Sequence, residues 1–396
     1  MSDIALAHVK HFTDVIGPRG STTADERQAH EYCKQTLEGL GYETHWEEHY
    51  ACVSAWLTYA VAIGTMMLAT VLFFFVGRGP NASAGALGAS AIGLVVVVSF
   101  FLNISHLDNP LRWFVPSAKS QNVWVAAQPT GEVKRRVVVS GHVDTHRTAL
   151  AMQSVMLWRV FQALTSALGV AQLVLLGLFV YGIFNTDPLL RTIAAALNLL
   201  LVAALVFTVQ PDTTPYVKGA NDNATGAAGV LALAERLKRE PLTHTQVFLV
   251  NTGTEEVDCY GMADWLKRHA HAEAADADYL VLDNIGGKNS DVNYVLSETL
   301  LTPLKSDPGL VALADTVAKE HPELEAKPWH YKGLSSEVSM CAVHKQRVLG
   351  LLNFDPKSGM PPNFHTVRDD FSNVDPDVLD RSERFAWEIL QKLDAS

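Results

Sequence analysis

Four segments of this 396-residue chain contain no charged residue over lengths that suffice to cross a lipid bilayer. They form two pairs, residues 55–76 with 82–102 and residues 160–184 with 192–209. The hydrocarbon core of a bilayer is spanned by a helix of about 20 apolar residues. Turn-forming residues separate the members of each pair, in Gly77-Arg-Gly-Pro-Asn81 and Asn185-Thr-Asp-Pro188. We therefore predict four transmembrane helices, arranged as two hairpins.

The first hairpin also carries small residues at every fourth position, at Gly85, Ala89 and Gly93. Small residues at this spacing let helices approach closely in lipid. The alternative is that the four runs are buried core helices of a soluble protein. Four such helices without a single charge would be unusual there. The pattern favours an integral membrane protein, with the lipid bilayer as one of its partners.

Charge and cysteine content exclude other classes of protein. The chain has 42 acidic and 31 basic residues, a formal net charge of −11, whereas nucleic-acid-binding proteins usually present a basic face. The four cysteines are scattered without a CxxC pair, so we expect free, mostly buried thiols. The first residues show neither a basic region nor an early apolar run, and we expect no secretory signal.

Outside the hairpins, helical and strand patterns alternate along the chain. Residues 25–40 are amphipathic and end at Gly41, residues 246–251 form an apolar strand pattern, and residues 377–393 form a terminal helix pattern. This alternation predicts an α/β fold: a mostly parallel mixed sheet with helices on both faces. The predicted domains are a discontinuous α/β domain (residues 1–52, 104–153 and 210–396) and two hairpins (residues 53–103 and 154–209).

A polar motif follows the most apolar of the predicted strands. Val137 to Val139 read as a buried strand that ends near Gly141, and His142 and Asp144 come next. A neutral imidazole is a common metal ligand, and a nearby carboxylate can hold its other ring nitrogen. The carboxyl ends of strands are where open α/β sheets bind ligands. Taken alone, however, the motif is more often an ordinary polar loop.

Further candidate ligands follow at later strand ends and in loops. They are Asp222, the pair Glu255-Glu256, Asp283 and His365. Each also has a structural explanation that involves no metal. In order, these are a helix cap, acids in the first turn of a helix, a turn residue and a surface histidine. Together with His142, they supply five ligands and one spare carboxylate in the order His, Asp, Glu-Glu, Asp, His. That inventory is typical of a two-metal hydrolytic site.

The combined motifs resemble those of the M28 family of co-catalytic di-zinc aminopeptidases. The matching segments are Gly141-His-Val-Asp144, Gly219-Ala-Asn-Asp-Asn-Ala-Thr-Gly226, Gly253-Thr-Glu-Glu256 through Gly261, Leu282-Asp283 and His365-Thr-x-x-Asp369. Gly17-Pro-Arg-Gly-Ser and Leu40-Gly-Tyr are similar to the N-terminal region of the family. The resemblance covers nearly the whole chain outside the hairpins.

The resemblance implies a role for each residue and two zinc ions as cofactors. Asp222 would bridge the ions, with His142 and Asp283 completing one site and Glu256 and His365 the other. Glu255 would be the general base that takes a proton from the attacking water. Asp144 would orient His142 without binding metal itself.

Two segments depart from the family pattern. The family often has a tyrosine just before the last histidine, where this chain has Phe364, and Tyr331 is a candidate substitute. The Ser-Asp-His-like stretch of the family appears only as Ser335-Ser-Glu337. These two differences bear on substrate preference and rate more than on metal binding. The hairpins are a larger departure, because the second is inserted between His142 and Asp222.

The sequence thus predicts a membrane-integrated di-zinc metallopeptidase, most simply an aminopeptidase acting on a peptide substrate. One alternative is an amidohydrolase or a glutaminyl-cyclase-like enzyme on the same scaffold. Another is a non-catalytic receptor or scaffold, which the retention of all five ligands and the base disfavours. The sequence leaves the oligomeric state open.

Charges near the predicted spans indicate their orientation. Five basic residues flank the spans on the side of the α/β domain, whereas two lie in the short turns: Arg112, Lys119, Arg147, Arg159 and Lys218 against Arg78 and Arg191. This bias predicts a cytosolic catalytic domain. Because the second hairpin leaves the chain shortly after His142 and returns shortly before Asp222, we also expect the cleft to lie close to the bilayer. The alternative is that the hairpin is only an anchor.

Overall fold

The computed structural model describes residues 2–76, 79–299 and 302–396. Its strands are β1 (His45–Cys52), β2 (Ser117–Ala127), β3 (Arg135–His142), β4 (Thr245–Thr252), β5 (Asp278–Asp283), β6 (Asn293–Thr299), β7 (Pro303–Lys305), β8 (Lys327–Lys332) and β9 (Arg347–Leu352). Its helices are α1 (Ser2–Lys10), α2 (Ala24–Gly39), α3 (Ala55–Phe75), α4 (Ala82–Ile104), α5 (Val155–Tyr181), α6 (Pro188–Val209), α7 (Gly226–Arg239), α8 (Tyr260–His269), α9 (Pro308–Glu320), α10 (Glu337–Val343) and α11 (Pro376–Asp394). The described residues divide into two compact units.

The first unit comprises residues 1–53, 117–148 and 215–396 and contains one mixed sheet. The strand order is β1-β2-β4-β3-β5-β9-β6-β7, with β8 paired to β6. The four central strands, β4, β3, β5 and β9, run parallel, and antiparallel pairs flank them. This confirms the predicted α/β class. Because the central strands are parallel, their carboxyl ends lie at one edge of the sheet.

Helices cover both faces of this sheet, as the buried run in β3 requires. Successive side chains of a strand point to opposite faces. Val137 and Val139 belong to an apolar cluster that includes buried residues of α1, α2, α7, α9 and α11. Val138, by contrast, belongs to a second cluster that includes buried residues of α8 and α10. A strand that is apolar at every position therefore needs a helical layer on each side.

Polar caps and a glycine fix the ends of the helices that the sequence predicted. The Thr23 hydroxyl accepts the backbone N–H of Glu26 at the start of α2. Gly41, just beyond the end of α2, has a φ of 78°, a left-handed conformation that glycine adopts without steric cost. Asp375 caps α11 by accepting backbone N–H groups of its first turn.

The second unit comprises residues 54–116 and 149–214 and contains α3 to α6. Each helix belongs to a segment that is long and apolar enough to cross a membrane, with a mean hydropathy of 2.0 to 2.4. Helix α3 packs against α4 and α6, and α5 packs against the same two helices. Large apolar side chains also point outward, including Leu68 and Leu199, which are 67% and 73% exposed. An apolar exterior of this kind suits a lipid environment better than water.

The small residues of α4 lie inside this helical unit. A Cβ atom added at Gly93 would lie 3.3 Å from the ring of Phe179 on α5, so a larger residue would require that ring to shift. The unit extends beyond the predicted hairpins because Leu111 is buried in its core. Of the two predicted turns, Asn185–Pro188 is described, with Asp187 capping α6. Gly77 and Arg78 of the other turn lie outside the described residues.

Candidate metal centre

The predicted ligands are positioned by the carboxyl edge of the parallel strands. His142 is the last residue of β3 and Asp283 is the last residue of β5. Glu255 and Glu256 follow the end of β4, and Asp222 lies in the turn Ala220–Thr225 that leads into α7. His365 lies in the loop between β9 and α11.

The ligands form two groups that share Asp222. In the first group, Nε2 of His142 lies 3.5 Å from Oδ1 of Asp222 and 3.6 Å from Oδ1 of Asp283. In the second group, Nε2 of His365 lies 3.0 Å from Oδ2 of Asp222 and 3.1 Å from Oε2 of Glu256. The two oxygens of Asp222 thus face different histidines. Such a carboxylate has the geometry to bridge two ions.

The donor atoms and their burial fit a pair of divalent cations. Nε2 of His142 and Oε1 of Glu256 are buried without a hydrogen-bond partner. Buried polar atoms normally have partners, so an orphaned set that converges on one place needs an occupant. Nδ1 of His142 lies 3.2 Å from the carbonyl oxygen of Asp144, which can only accept a hydrogen bond. The proton therefore lies on Nδ1 and leaves the Nε2 lone pair for a metal.

The charges of the site are unbalanced without a cation. Burial, together with the charge of the neighbouring carboxylate Asp222, raises the pKa of Glu256 to about 7. Burial also raises the pKa of Glu255 and of Asp283. Burial acts in the opposite direction on His365, but the facing Glu256 carboxylate raises its pKa to about 10. Several acids compete for few positive charges here, and bound cations would relieve that competition.

Asp144 fixes the pair Glu255-Glu256 as well as contacting His142. Its Oδ1 accepts the backbone N–H of Glu255 at 3.1 Å, and its Oδ2 accepts that of Glu256 at 3.2 Å. The hydroxyl of Ser21 donates to Oδ2 at 2.6 Å. Oδ1 also lies 3.4 Å from Nδ1 of His142. One buried carboxylate therefore sets the position of both predicted functional glutamates.

Glu255 lies at the edge of the first group. Its Oε2 is 3.8 Å from Nε2 of His142, and its side chain is 11% exposed. It is thus near the predicted metal ligands yet more accessible than His142 and Asp222, which are 2% and 3% exposed. A carboxylate in this place can exchange a proton with a molecule that enters the site.

Two residues within the recognised motifs turn out to hold the ligand loops, although the sequence suggested no role for them. The guanidinium of Arg19 is fully buried and donates to carbonyl oxygens of Val143, Lys218 and Gly219. Asp369 accepts the backbone N–H of Asn221 at 2.7 Å and that of Asp222 at 3.0 Å. Their partners are distant in sequence, so no local pattern could reveal these contacts.

Three residues at or beside the predicted ligands have a left-handed backbone conformation. Thr254, Asn284 and His365 have φ values of 56°, 54° and 52°. Non-glycine residues rarely adopt this left-handed region, and they do so mostly where the surrounding structure enforces it for function. Each of the three either is a predicted ligand or directly adjoins a predicted functional residue.

The structure also shows the surroundings of the residues at which the sequence departs from the family pattern. The Phe364 ring stacks on the His365 imidazole, with centroids 3.7 Å apart. Tyr331 is buried beside Phe354, and burial raises its pKa, as do the charges of Asp283 and Glu298. Glu337 accepts hydrogen bonds from the hydroxyls of Ser140 and Thr252, tying α10 to β3 and β4. The charges of nearby acidic residues thus act on Tyr331, and Glu337 connects α10 to two of the central strands.

His146 belongs to the same cluster and was not predicted. One nitrogen of His146, one of His365 and a carboxylate oxygen of Glu256 all lie within 4.8 Å of one another. Burial and the charge of His365 lower the pKa of His146 to about 3. The signal in the sequence was only its place in the loop that follows His142.

Known proteins resemble this chain in sequence and in fold. The sequence model of peptidase family M28 matches residues 203–390, a segment that contains Asp222, Glu255, Glu256, Asp283 and His365. This segment of the chain is therefore similar to an M28 peptidase domain. No curated protein matches the sequence.

Solved structures share the fold of this chain. A glutaminyl cyclase from Bacteroides thetaiotaomicron, bound to N-acetylhistamine, is 14% identical with a TM-score of 0.58, over 99% of this chain and 97% of that chain. A Zn-dependent exopeptidase from Parabacteroides distasonis is 14% identical with a TM-score of 0.58, over 100% and 97%. The zinc aminopeptidase BSAP from Bacillus subtilis is 13% identical with a TM-score of 0.58, over 99% and 95%. At these identities the likeness establishes the fold.

The family and the fold confirm the prediction of a zinc-dependent metallopeptidase. They do not separate aminopeptidase from cyclase chemistry, because structures with either name match equally well. The specific reaction therefore has to be argued from the residues of this chain.

Proposed function

We propose that this protein is a membrane-integrated aminopeptidase that uses two zinc ions. The observation that carries the proposal is the shared position of Asp222, whose two oxygens face His142 in one group and His365 in the other. In this proposal Asp283 completes the first group of ligands and Glu256 completes the second. Bound there, zinc would polarise the scissile carbonyl and lower the pKa of the attacking water.

Glu255 is the general base of the proposed reaction. Its raised pKa, caused first by burial, lets it accept a proton from water and later give it to the departing amine. Asp144 contributes by holding the Glu255 backbone N–H and by contacting Nδ1 of His142. It is a positioning residue and does not itself exchange protons with the substrate.

Membrane integration is supported by the second unit. Its helices have the length and hydropathy of membrane spans and expose apolar side chains on their outer surface. The distribution of basic residues in the sequence favours a cytosolic M28 domain. Peptides, including apolar peptides released from membrane proteins, are the substrates that such a location would supply.

A glutaminyl-cyclase-like reaction is the second candidate, because cyclases share this fold at the same TM-score as the zinc aminopeptidase. The two reactions differ in the nucleophile. An aminopeptidase uses water, whereas a cyclase uses the α-amine of an N-terminal glutamine. A buried carboxylate at the position of Glu255 can move a proton in either reaction.

A substrate screen on detergent-purified, zinc-restored protein tests the proposal. The panel contains aminoacyl-anilides, glutaminyl peptides assayed for ammonia release, and N-acyl amino acids. We expect release of the anilide. Ammonia release from glutaminyl peptides without anilide hydrolysis would favour the cyclase. Hydrolysis of the N-acyl compounds alone would identify an amidohydrolase.

A further inference from the structure

The segment 253–256 carries the proposed base and one proposed ligand, and side chains from distant parts of the chain hold its backbone. Its first N–H donates to Oδ1 of Asn122 at 3.2 Å. Its second N–H, that of Thr254, donates to Oε1 of Glu26 at 2.9 Å. The third and fourth donate to the two oxygens of Asp144. All four consecutive N–H groups thus bond to side chains at least 111 residues away in sequence.

Glu26 connects this segment to the N-terminal part of the chain. Its side chain is fully buried. Oε2 accepts the backbone N–H of Thr22 at 2.7 Å, and Oε1 accepts the hydroxyl of Ser120 at 2.9 Å as well as the N–H of Thr254. The contact with Thr22 resembles a capping box, in which a glutamate of the first helical turn reaches back to the residues before the helix. The partners of Oε1 lie outside α2, so helix capping accounts for only one of the two oxygens.

The segment fits closely against Glu26. A Cβ atom added at Gly253 would lie 2.7 Å from Oε1 of Glu26, so only glycine allows the two to approach. The hydroxyl of Thr254 donates to the carbonyl oxygen of Gly253 at 2.7 Å and lies 2.8 Å from Nε2 of His49. Because its proton is used in the first bond, the hydroxyl accepts the second from His49. Thr254 is therefore held in its left-handed conformation through both its backbone and its side chain.

The location of Glu26 is unfavourable for a residue that only stabilises the fold. Burial and the charge of Asp144 raise the pKa of Glu26, although the hydrogen bonds that it accepts act in the opposite direction. Two buried carboxylates that hold neighbouring N–H groups also repel each other. Proteins retain such unfavourable arrangements mostly at functional sites.

The geometry points to Glu26 as a positioning residue for the general base Glu255. Glu26 holds the N–H of Thr254 while Asp144 holds the next two, and together they fix the direction in which the Glu255 side chain leaves the backbone. A displacement of a catalytic group by about 1 Å can cost about 10²-fold in rate. The inference rests on the proposed function and deepens it, since it concerns the base of that reaction.

Kinetics of Glu26→Ala and Glu255→Gln, alone and together, test the inference. Glu26→Ala should lower kcat on an aminoacyl-anilide by about 10–10²-fold per zinc-loaded chain, with KM and zinc content unchanged. In the Glu255→Gln background the same substitution should change kcat by less than about twofold, because the base that Glu26 positions is already lost. Equal losses of kcat in both backgrounds would show that Glu26 supports the fold only.

Asp278→Ala is the matched control. Asp278 is also a buried carboxylate, but it begins β5, at the opposite edge of the sheet from Asp283, and it pairs with Arg135 and Arg347. Its loss should lower the thermal stability, because two cations lose their buried partner, and should leave kcat per zinc-loaded chain unchanged. A loss of kcat as large as that of Glu26→Ala would overturn the inference, since any buried carboxylate would then have the same effect.

Hydrogen exchange measured by mass spectrometry gives an answer that requires neither activity nor zinc. In the wild type, peptides that cover residues 253–256 should exchange as slowly as those of β4, and in Glu26→Ala they should exchange faster while those of β5 do not change. Rapid exchange of this segment in the folded wild type would overturn the inference even if the variant does not fold. Slow exchange in a zinc-loaded wild type that hydrolyses no anilide would confirm that the segment is held and would refute the proposed function instead.

Discussion

Replacement of Glu255 by glutamine should abolish most of the turnover and leave the metals in place. Glutamine has nearly the same shape but cannot accept the proton. The Glu255 carboxylate lies 3.8 Å from Nε2 of His142 and is not one of the five proposed ligands, so we expect the variant to keep zinc. General acid–base catalysis contributes about 10²–10⁴-fold, which corresponds to roughly 2.7–5.4 kcal/mol in the activation barrier. We expect kcat to fall by that factor.

The assay compares kcat on an aminoacyl-anilide with zinc per chain, for the wild type and two variants. Glu255→Gln should keep two zinc ions and lose rate. Glu256→Gln is the matched contrast: it makes the same chemical change one residue later, at a proposed ligand, and should lose zinc as well. Near-wild-type turnover in zinc-loaded Glu255→Gln would refute the assignment of the base. Loss of zinc from that variant would show that Glu255 is a ligand.

Three further predictions concern pH, topology and the second hairpin. Without metal, the pKa of Glu256 is about 7 and that of His365 about 10, so zinc must displace protons from both residues. A chelator competition should therefore show zinc affinity rising about tenfold or more from pH 6 to 8. An affinity that does not change with pH would contradict this. With the catalytic domain in the cytosol, a cysteine introduced at Arg78 should be labelled only from the non-cytosolic side. The native thiols are buried and should not react. Labelling from the cytosolic side alone would invert the topology. Replacement of residues 152–212 by a short loop should preserve the fold and zinc but reduce the preference for apolar over polar peptides, and an unchanged preference would leave that hairpin as an anchor only.

Local sequence patterns were sufficient to predict the centre of the fold. The apolar run Val137 to Val139 predicted a central strand because only a strand covered on both faces is apolar at every position. The same rule placed His142 at the carboxyl edge of the sheet, and Asp283 followed from the end of the next parallel strand. The uncharged runs predicted the second unit because no ordinary surface helix lacks charge over such lengths.

Long-range contacts could not be predicted from those patterns. Arg19 bonds to carbonyl groups of Lys218 and Gly219, which are remote in sequence, and a buried arginine has no periodic signature. His146 resembles any polar loop residue until the fold brings His365 against it. Strands β6, β7 and β8 were not predicted either, because the pairing of short strands is decided by the sheet already formed more than by local propensity.

The position of Asp222 makes the central claim directly measurable. Zinc is titrated into metal-free wild type and into Asp222→Ala, and bound ions per chain are counted by elemental analysis after removal of free metal. We predict two ions in the wild type and loss of both in the variant, because one carboxylate faces both groups. Two ions retained by Asp222→Ala, or no stoichiometric zinc in the wild type, would contradict the account.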